Sequence, residues 1–328
     1  MAVELLGVGA ATLALFVGFG VLVGVLFGFF GMGGSFLVTP ALLVMGYPSR
    51  VAVGSGLAFV FGTSVIGALR HRDLGQVDYR LAALLTVSVS VGIEFGKRAV
   101  LSLEALGAAD LVVSVAYVVL LGAVGAFVVV DARREGDPTG SGAVLARVRL
   151  PPTVSILDGP TVSVWVVFAI GLVVGVLAGF LGVGGGFLLM PAMLYGLGVP
   201  AAVAVGTDIL QITISGAVGS FLYAQSGGVD LSIVAPLLAG SALGARVGSA
   251  ATGVVSEDDI KGYFGAMLLL GAVAVAIRQV GLALGTPALS HLSLAIIVGS
   301  ALLVSGAVCY SSLLALRRRE EPRPASTD

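Results

Sequence analysis

GFFGMGGSFLVTPALLVMGYPSRVAVGSGL (28–57) and GFLGVGGGFLLMPAMLYGLGVPAAVAVGTDI (179–209) align along their whole length, with one extra residue in the second. Gly31, Gly33 and Gly34 meet Gly182, Gly184 and Gly185, and Pro40 meets Pro191. The register continues beyond them. Gly67 matches Gly219, the Gly-x-Val-Asp of 75–78 matches that of 227–230, and Gly92 and Gly96 match Gly244 and Gly248. So many glycines and prolines in step mark an internal duplication. Each cluster separates a long apolar segment from a short one, 36–46 in the first half and 187–197 in the second. Segments that short are half-helices or re-entrant elements rather than full spans.

The rest of the chain says what medium these breaks sit in. Hydrophobic residues make up 58% and charged residues 11%, against about 25% charged in a soluble domain. A chain so apolar has no polar surface to show water and belongs in a lipid bilayer. Full-length apolar segments lie near 8–30, 51–70, 80–98, 110–130, 163–182, 202–224, 231–250, 262–280 and 291–316. The N-terminus lacks the basic flank of a secretory signal, so its first apolar stretch reads as a retained membrane helix. The predicted fold is all-α: a polytopic transmembrane helix bundle built from two inverted repeats with broken half-helices. The first repeat occupies 1–130. A charged, Gly- and Pro-rich extramembrane linker follows at 131–161, then a second repeat plus a final helix at 162–316, and a polar, disordered tail at 317–328.

Basic residues in short loops orient membrane helices toward the cytoplasm. Arg70, Arg72 and Arg80 flank one loop, Arg133, Arg134, Arg147 and Arg149 lie in the linker, and Arg317, Arg318 and Arg319 follow the last helix. The second-half counterpart of the first of these loops, 225–230, has no basic residue. The repeats therefore read as inverted, with the N-terminus outside and the linker and C-terminus cytoplasmic. Lys97 and Arg98 run against this scheme, which places them outside.

Non-helical backbone at membrane depth is tolerated only inside protein or beside a water-filled cavity. Paired broken helices mark the substrate site of inverted-repeat transporters. The N–H groups that open a half-helix favour an anion. Gly31, Gly33, Gly34 and Ser35, with Gly182, Gly184, Gly185 and Gly186, are therefore the candidate substrate-binding backbone. The competing reading is that these glycines serve close helix packing alone. The following segments carry polar positions, Ser55, Thr63 and Ser64 in the first half and Thr207, Asp208, Gln211, Thr213 and Ser215 in the second. Thr207, Asp208, Gln211 and Ser215 recur at helical spacing, and Ser55, Thr207 and Gln211 join the substrate-binding candidates. Asp208 is an ionisable group inside an apolar segment, a functional signal by default. It is the candidate for a coupling proton or cation, with helix N-capping as its alternative role. Asp78 and Asp230 each open an apolar segment and read as N-caps. Glu94 and Arg246 occupy equivalent positions with opposite charge; a structural role suits both, Arg246 being the better candidate for an anion ligand.

Other classes lack their chemistry. A net charge of −1 offers nothing to nucleic acid. No strand precedes either glycine cluster and no P-loop lysine follows, which argues against nucleotide binding. One cysteine, Cys309, and two distant histidines, His71 and His291, form no metal-ligand pattern, and no nucleophile–base pair is present. The sequence implies no cofactor and no enzyme.

At the duplicated breaks, Gly-Phe-Phe-Gly-Met-Gly-Gly-Ser with Pro40, Gly-Phe-Leu-Gly-Val-Gly-Gly-Gly with Pro191, and Val-Gly-Ser (53–55) against Val-Gly-Thr (205–207), the chain resembles the sulfite exporter TauE/SafE family. The resemblance covers most of both halves; the linker 131–161 is longer than the family pattern. It implies a multi-pass protein of the cell membrane that moves a small anion, a sulfur-containing one such as sulfite or an organosulfonate. It carries over no set of binding residues. A secondary transporter is the expected function, and an anion channel without ion coupling is the alternative.

Overall fold

The computed structural model describes residues 9–30, 35–72, 77–132, 150–157, 159–252 and 257–320. Five helices precede the linker: α1 Ala10–Phe30, α2 Ser35–Met45, α3 Ser49–Arg72, α4 Tyr79–Ala105 and α5 Ala109–Ala132. After it come α6 Val164–Leu181 and α7 Gly186–Pro191, which runs into a π-helical turn at Ala192–Leu197. The chain closes with α8 Ala201–Ala224, α9 Leu231–Thr252, α10 Glu257–Leu284 and α11 Pro287–Glu320. Among the described residues, eight helices are long and apolar enough to cross a membrane. The stretch expected at 51–70 lies inside α3, a helix of 24 residues. The two short segments are helices, as expected, and each contains its proline, Pro40 in α2 and Pro191 in α7.

Glycine ladders decide which helices meet. In lipid no hydrophobic force draws apolar helices together, so association depends on close van der Waals contact, which small residues permit. Gly20, Gly24 and Gly28 line the face of α1 that packs on α9. A Cβ on Gly24 would lie 2.6 Å from the Ser241 Cα, and one on Gly28 2.9 Å from the Ala245 Cα. The α4–α6 pair repeats the device: a Cβ on Gly175 would lie 2.7 Å from the Val89 Cα, and one on Gly179 2.6 Å from the Ile93 Cα. Such separations leave no room for a side chain. In the aligned halves α1 corresponds to α6 and α4 to α9, so each half supplies one helix to each ladder. The corresponding helices α3 and α8 pack on each other, as do α5 and α10.

Two stretches differ from the sequence reading. The linker expected to be a plain loop holds an antiparallel hairpin, β1 Thr153–Ser155 with β2 Thr161–Ser163. Its Ile156 and Val162 are buried against Leu81, Leu85, Leu189 and Met193. Burying those two apolar side chains draws the hairpin onto the bundle. At the other end, residues 317–320 of the expected disordered tail continue α11; the segment 321–328 lies outside the described residues.

Asp78 caps α4, accepting hydrogen bonds from the backbone N–H groups of Arg80 and Leu81, each at 3.0 Å. Asp230 does the same at the start of α9, accepting from Ser232 N at 2.9 Å. Both aspartates are caps, as their positions suggested. Glu94 pairs with Arg98 at 2.8 Å and with Lys97 at 3.9 Å. The local carboxylate thus offsets the two cations that contradict the orientation scheme. Arg246 is exposed on α9.

Candidate functional site

The second glycine cluster is a genuine break. Helix α6 ends at Leu181, and Gly182 caps it at φ +74°. Gly184 and Gly185 follow at φ +69° and +86°, and α7 begins at Gly186. Only glycine reaches these angles without steric cost, so the local sequence enforces the interruption. Every residue from Leu181 to Phe187 is buried. The break is walled by three other helices, α2, α3 and α8. A Cβ on Gly182 would lie 2.6 Å from the Val53 carbonyl oxygen of α3 and 2.9 Å from Thr39 Oγ1 of α2. One on Gly184 would meet Val60 of α3, and one on Gly186 would lie 2.8 Å from Asp208 Oδ2 of α8. Gly31, Gly33 and Gly34 of the first cluster lie outside the described residues, and Ser35 is the first residue of α2.

Breaking α6 frees backbone carbonyls that an intact helix would bond internally. Side-chain hydroxyls from distant segments take them up. Tyr117 of α5 donates to the Leu181 carbonyl, Tyr223 of α8 donates to that of Gly179 at 2.6 Å, and Thr39 donates to that of Gly182 at 3.4 Å. Sequence reasoning passed over all three residues. Their one visible signal was a hydroxyl inside an otherwise apolar segment.

Helix α8 turns its polar face inward: Thr207, Asp208, Gln211 and Ser215 are all buried. Asp208 is the eighth residue of a helix that starts at Ala201 and is preceded by Pro200, so N-capping is not its role. It is 4% exposed, and its Oδ1 has no hydrogen-bond partner. Among the described residues no basic side chain pairs with it. Gln211 donates from Nε2 to Ser215 Oγ at 2.8 Å and leaves its own Oε1 buried and unpartnered. Holding a buried carboxylate ionised without a counter-charge is costly.

The remaining two candidates have structural partners. Ser55 Oγ accepts from the backbone N–H of Asp230 at 3.1 Å, and Thr207 Oγ1 accepts from that of Asp78 at 3.0 Å. These are equivalent residues in the aligned halves, each reaching the helix cap of the other half. The two hydroxyls therefore clasp the halves together beside the site. Asp78 also lines an open groove of about 470 Å³ with Tyr79, Arg80, Ser155 and Leu157. The hairpin is fastened at the same point, since Leu157 N donates to Asp78 Oδ2 at 2.8 Å.

Apolar spanning helices, one of them broken in the bundle interior, and buried polar groups facing the break define a multi-pass membrane transport protein rather than an enzyme. The chain belongs to the sulfite exporter TauE/SafE family, which it matches over residues 16–275. It is 29% identical over 242 residues to the probable membrane transporter protein YjnA of Bacillus subtilis (strain 168), covering 70% of this chain and 86% of that one. A probable membrane transporter protein of Xylella fastidiosa (strain 9a5c) is 25% identical over 272 residues, covering 82% of this chain and 96% of its own. A shorter match, 39% identical over 82 residues, is to the Bacillus subtilis protein YunE, also described as a probable membrane transporter. No solved structure matches the chain.

Proposed function

We propose that this protein is a secondary transporter of a small anion of the sulfite or organosulfonate kind. The anion would bind at the glycine breaks, against Gly182, Gly184, Gly185 and Gly186 and their first-half counterparts Gly31, Gly33, Gly34 and Ser35. Gln211 lies on the face of α8 that borders them, and Ser55 and Thr207 hold the two halves at its edge. Asp208 binds the coupling proton or cation. The observation that carries this reading is the Asp208 carboxyl, buried without a counter-charge against Gly186 where α6 is broken. A channel would need the break but no such group. The family name supports a sulfur oxyanion as cargo, while the relatives' names support transport and specify no substrate.

The two halves are inverted repeats in this proposal, with the N-terminus outside and the linker and C-terminus in the cytoplasm. The exchange of helices between the α1–α9 and α4–α6 ladders supports a two-fold relation between the halves. The deciding experiment is sulfite flux into proteoliposomes holding the purified protein, with and without an imposed proton or sodium gradient. A transporter accumulates sulfite above its outside concentration when the gradient is present. A channel only equilibrates it, and that outcome would replace the proposal with the channel reading.

A further inference from the structure

We propose that the ion bound at Asp208 is a proton, and that the protonated carboxyl donates its hydrogen to Gln211 Oε1. The inference rests on the transporter reading only where it makes this proton the coupling ion; the binding chemistry stands apart from it.

Two orphaned acceptors define the site. Asp208 Oδ1 and Gln211 Oε1 are both buried and both without a hydrogen-bond partner. They sit three residues apart on α8, a spacing that brings Cβ atoms to about 5–6 Å on one helix face. On one face of the helix, the two acceptors can share one hydrogen. Protonating Asp208 Oδ1 supplies it: the new O–H donates to Gln211 Oε1, and Gln211 Nε2 already donates onward to Ser215 Oγ. One added proton thus satisfies both orphans and removes the buried charge. The step is a proton transfer from water to a carboxylate, reversed on release, and no electrons change hands.

A metal cation fits poorly in the same place. Hard cations gather about six or more oxygen ligands, and in broken-helix transporters the unwound carbonyls supply several of them. Here the carbonyls of Gly179, Leu181 and Gly182 already accept from Tyr223, Tyr117 and Thr39. The hydroxyl of Thr207 accepts from Asp78 N. Among the described residues, no three acidic, histidine or cysteine side chains gather into a cation site.

Among the described residues, the surroundings offer Asp208 no counter-charge. Helices α2, α6 and α7 carry no ionisable side chain, and α3 meets the break through Val53 and Val60. The π-helical turn contributes Tyr195, whose ring packs on Phe127. On α4, Asp78 is bonded to the N–H groups of Arg80, Leu81 and Leu157. Tyr79 and Arg80 are exposed, and Glu94 is paired with Lys97 and Arg98. Arg50 on α3 pairs with Glu104 of α4. The open groove is lined by Asp78, whose backbone N–H donates to Thr207, the residue next to Asp208.

Infrared difference spectroscopy of the purified full-length protein, titrated in pH without any substrate, tests this. The expected result is a carboxylic-acid C=O stretch that grows in as pH falls, is lost in Asp208→Asn, and moves to higher frequency in Gln211→Leu as its acceptor disappears. Saturating sodium or potassium should leave the melting temperature of the wild-type protein unchanged. A spectrum with no band dependent on Asp208, or a band that Gln211→Leu leaves in place, would overturn the proposal. So would thermal stabilisation by sodium, a result that needs no variant and so survives a failure of Asp208→Asn to fold. If the band behaves as expected but sulfite flux ignores a proton gradient, the coupled-transporter reading fails while the proton site stands.

Discussion

Replacing Gly185 with alanine adds one methyl group at the centre of the break, and the structure sets what it costs. The residue sits at φ +86°, where a side chain brings about 1–3 kcal/mol of backbone strain. The new Cβ would lie 3.0 Å from Val174 Cγ1 and 3.7 Å from the Ala178 Cβ. The first distance is about 0.5 Å inside a comfortable carbon contact, and a small shift of one side chain relieves it. The loss should therefore stay near the strain alone. Gly182→Ala differs. Its Cβ would lie 2.6 Å from the Val53 carbonyl oxygen and 2.7 Å from the Val53 Cα, both backbone atoms that cannot swing away. Overpacking adds about 1–3 kcal/mol to about 1–2 kcal/mol of left-handed strain. Gly122→Ala is the control, since nothing lies within 4 Å of its Cβ and it sits inside α5. Alanine there should be neutral or stabilising by up to about 1 kcal/mol. Stability is read by thermal denaturation in detergent and transport by sulfite flux per folded molecule. Gly185→Ala should stay folded yet lose at least about tenfold in flux, equivalent to about 1.4 kcal/mol at the site. A destabilised Gly185→Ala with full flux per folded molecule would show that the break serves packing alone.

Asp208→Asn should leave the protein folded and abolish gradient-driven uptake; full pH-dependent uptake by the variant would refute the coupling role. Tyr117→Phe keeps the ring but strands the buried Leu181 carbonyl, an expected loss of about 1–3 kcal/mol, visible as a lower melting temperature. Reporters fused to the two ends should sit on opposite sides of the membrane, and both ends on one side would exclude the inverted arrangement.

Much of the fold was written in local properties. Long apolar runs require helices in lipid because every backbone N–H and C=O must be satisfied inside the chain. Gly182, Gly184 and Gly185 predicted the α6–α7 break because their φ values belong to glycine whatever surrounds them. Asp78 and Asp230 were readable as caps because a cap bonds to residues two or three places on. The polar face of α8 followed from helical spacing. The role of Asp208 was left open between cap and ion site, since both begin with an aspartate early in an apolar segment.

What the tertiary structure alone decided involves partners far apart in the chain. Ser55 and Thr207 looked like ligands for an anion. They grip Asp230 and Asp78, 175 and 129 residues away, a pairing no local pattern encodes. Tyr117, Tyr223 and Thr39 acquired their function only when α5, α8 and α2 brought their hydroxyls to the carbonyls that the break exposes. The hairpin in the linker formed because Ile156 and Val162 found an apolar surface on the bundle, and the sequence of the linker alone, rich in charge and glycine, gave that surface no sign. Hydropathy and backbone conformation act over a few residues, so the sequence by itself settled the helices and the break. Which buried polar groups find partners, and which, like Asp208 Oδ1 and Gln211 Oε1, are left without one, depends on how the helices close on one another, and that is decided in three dimensions.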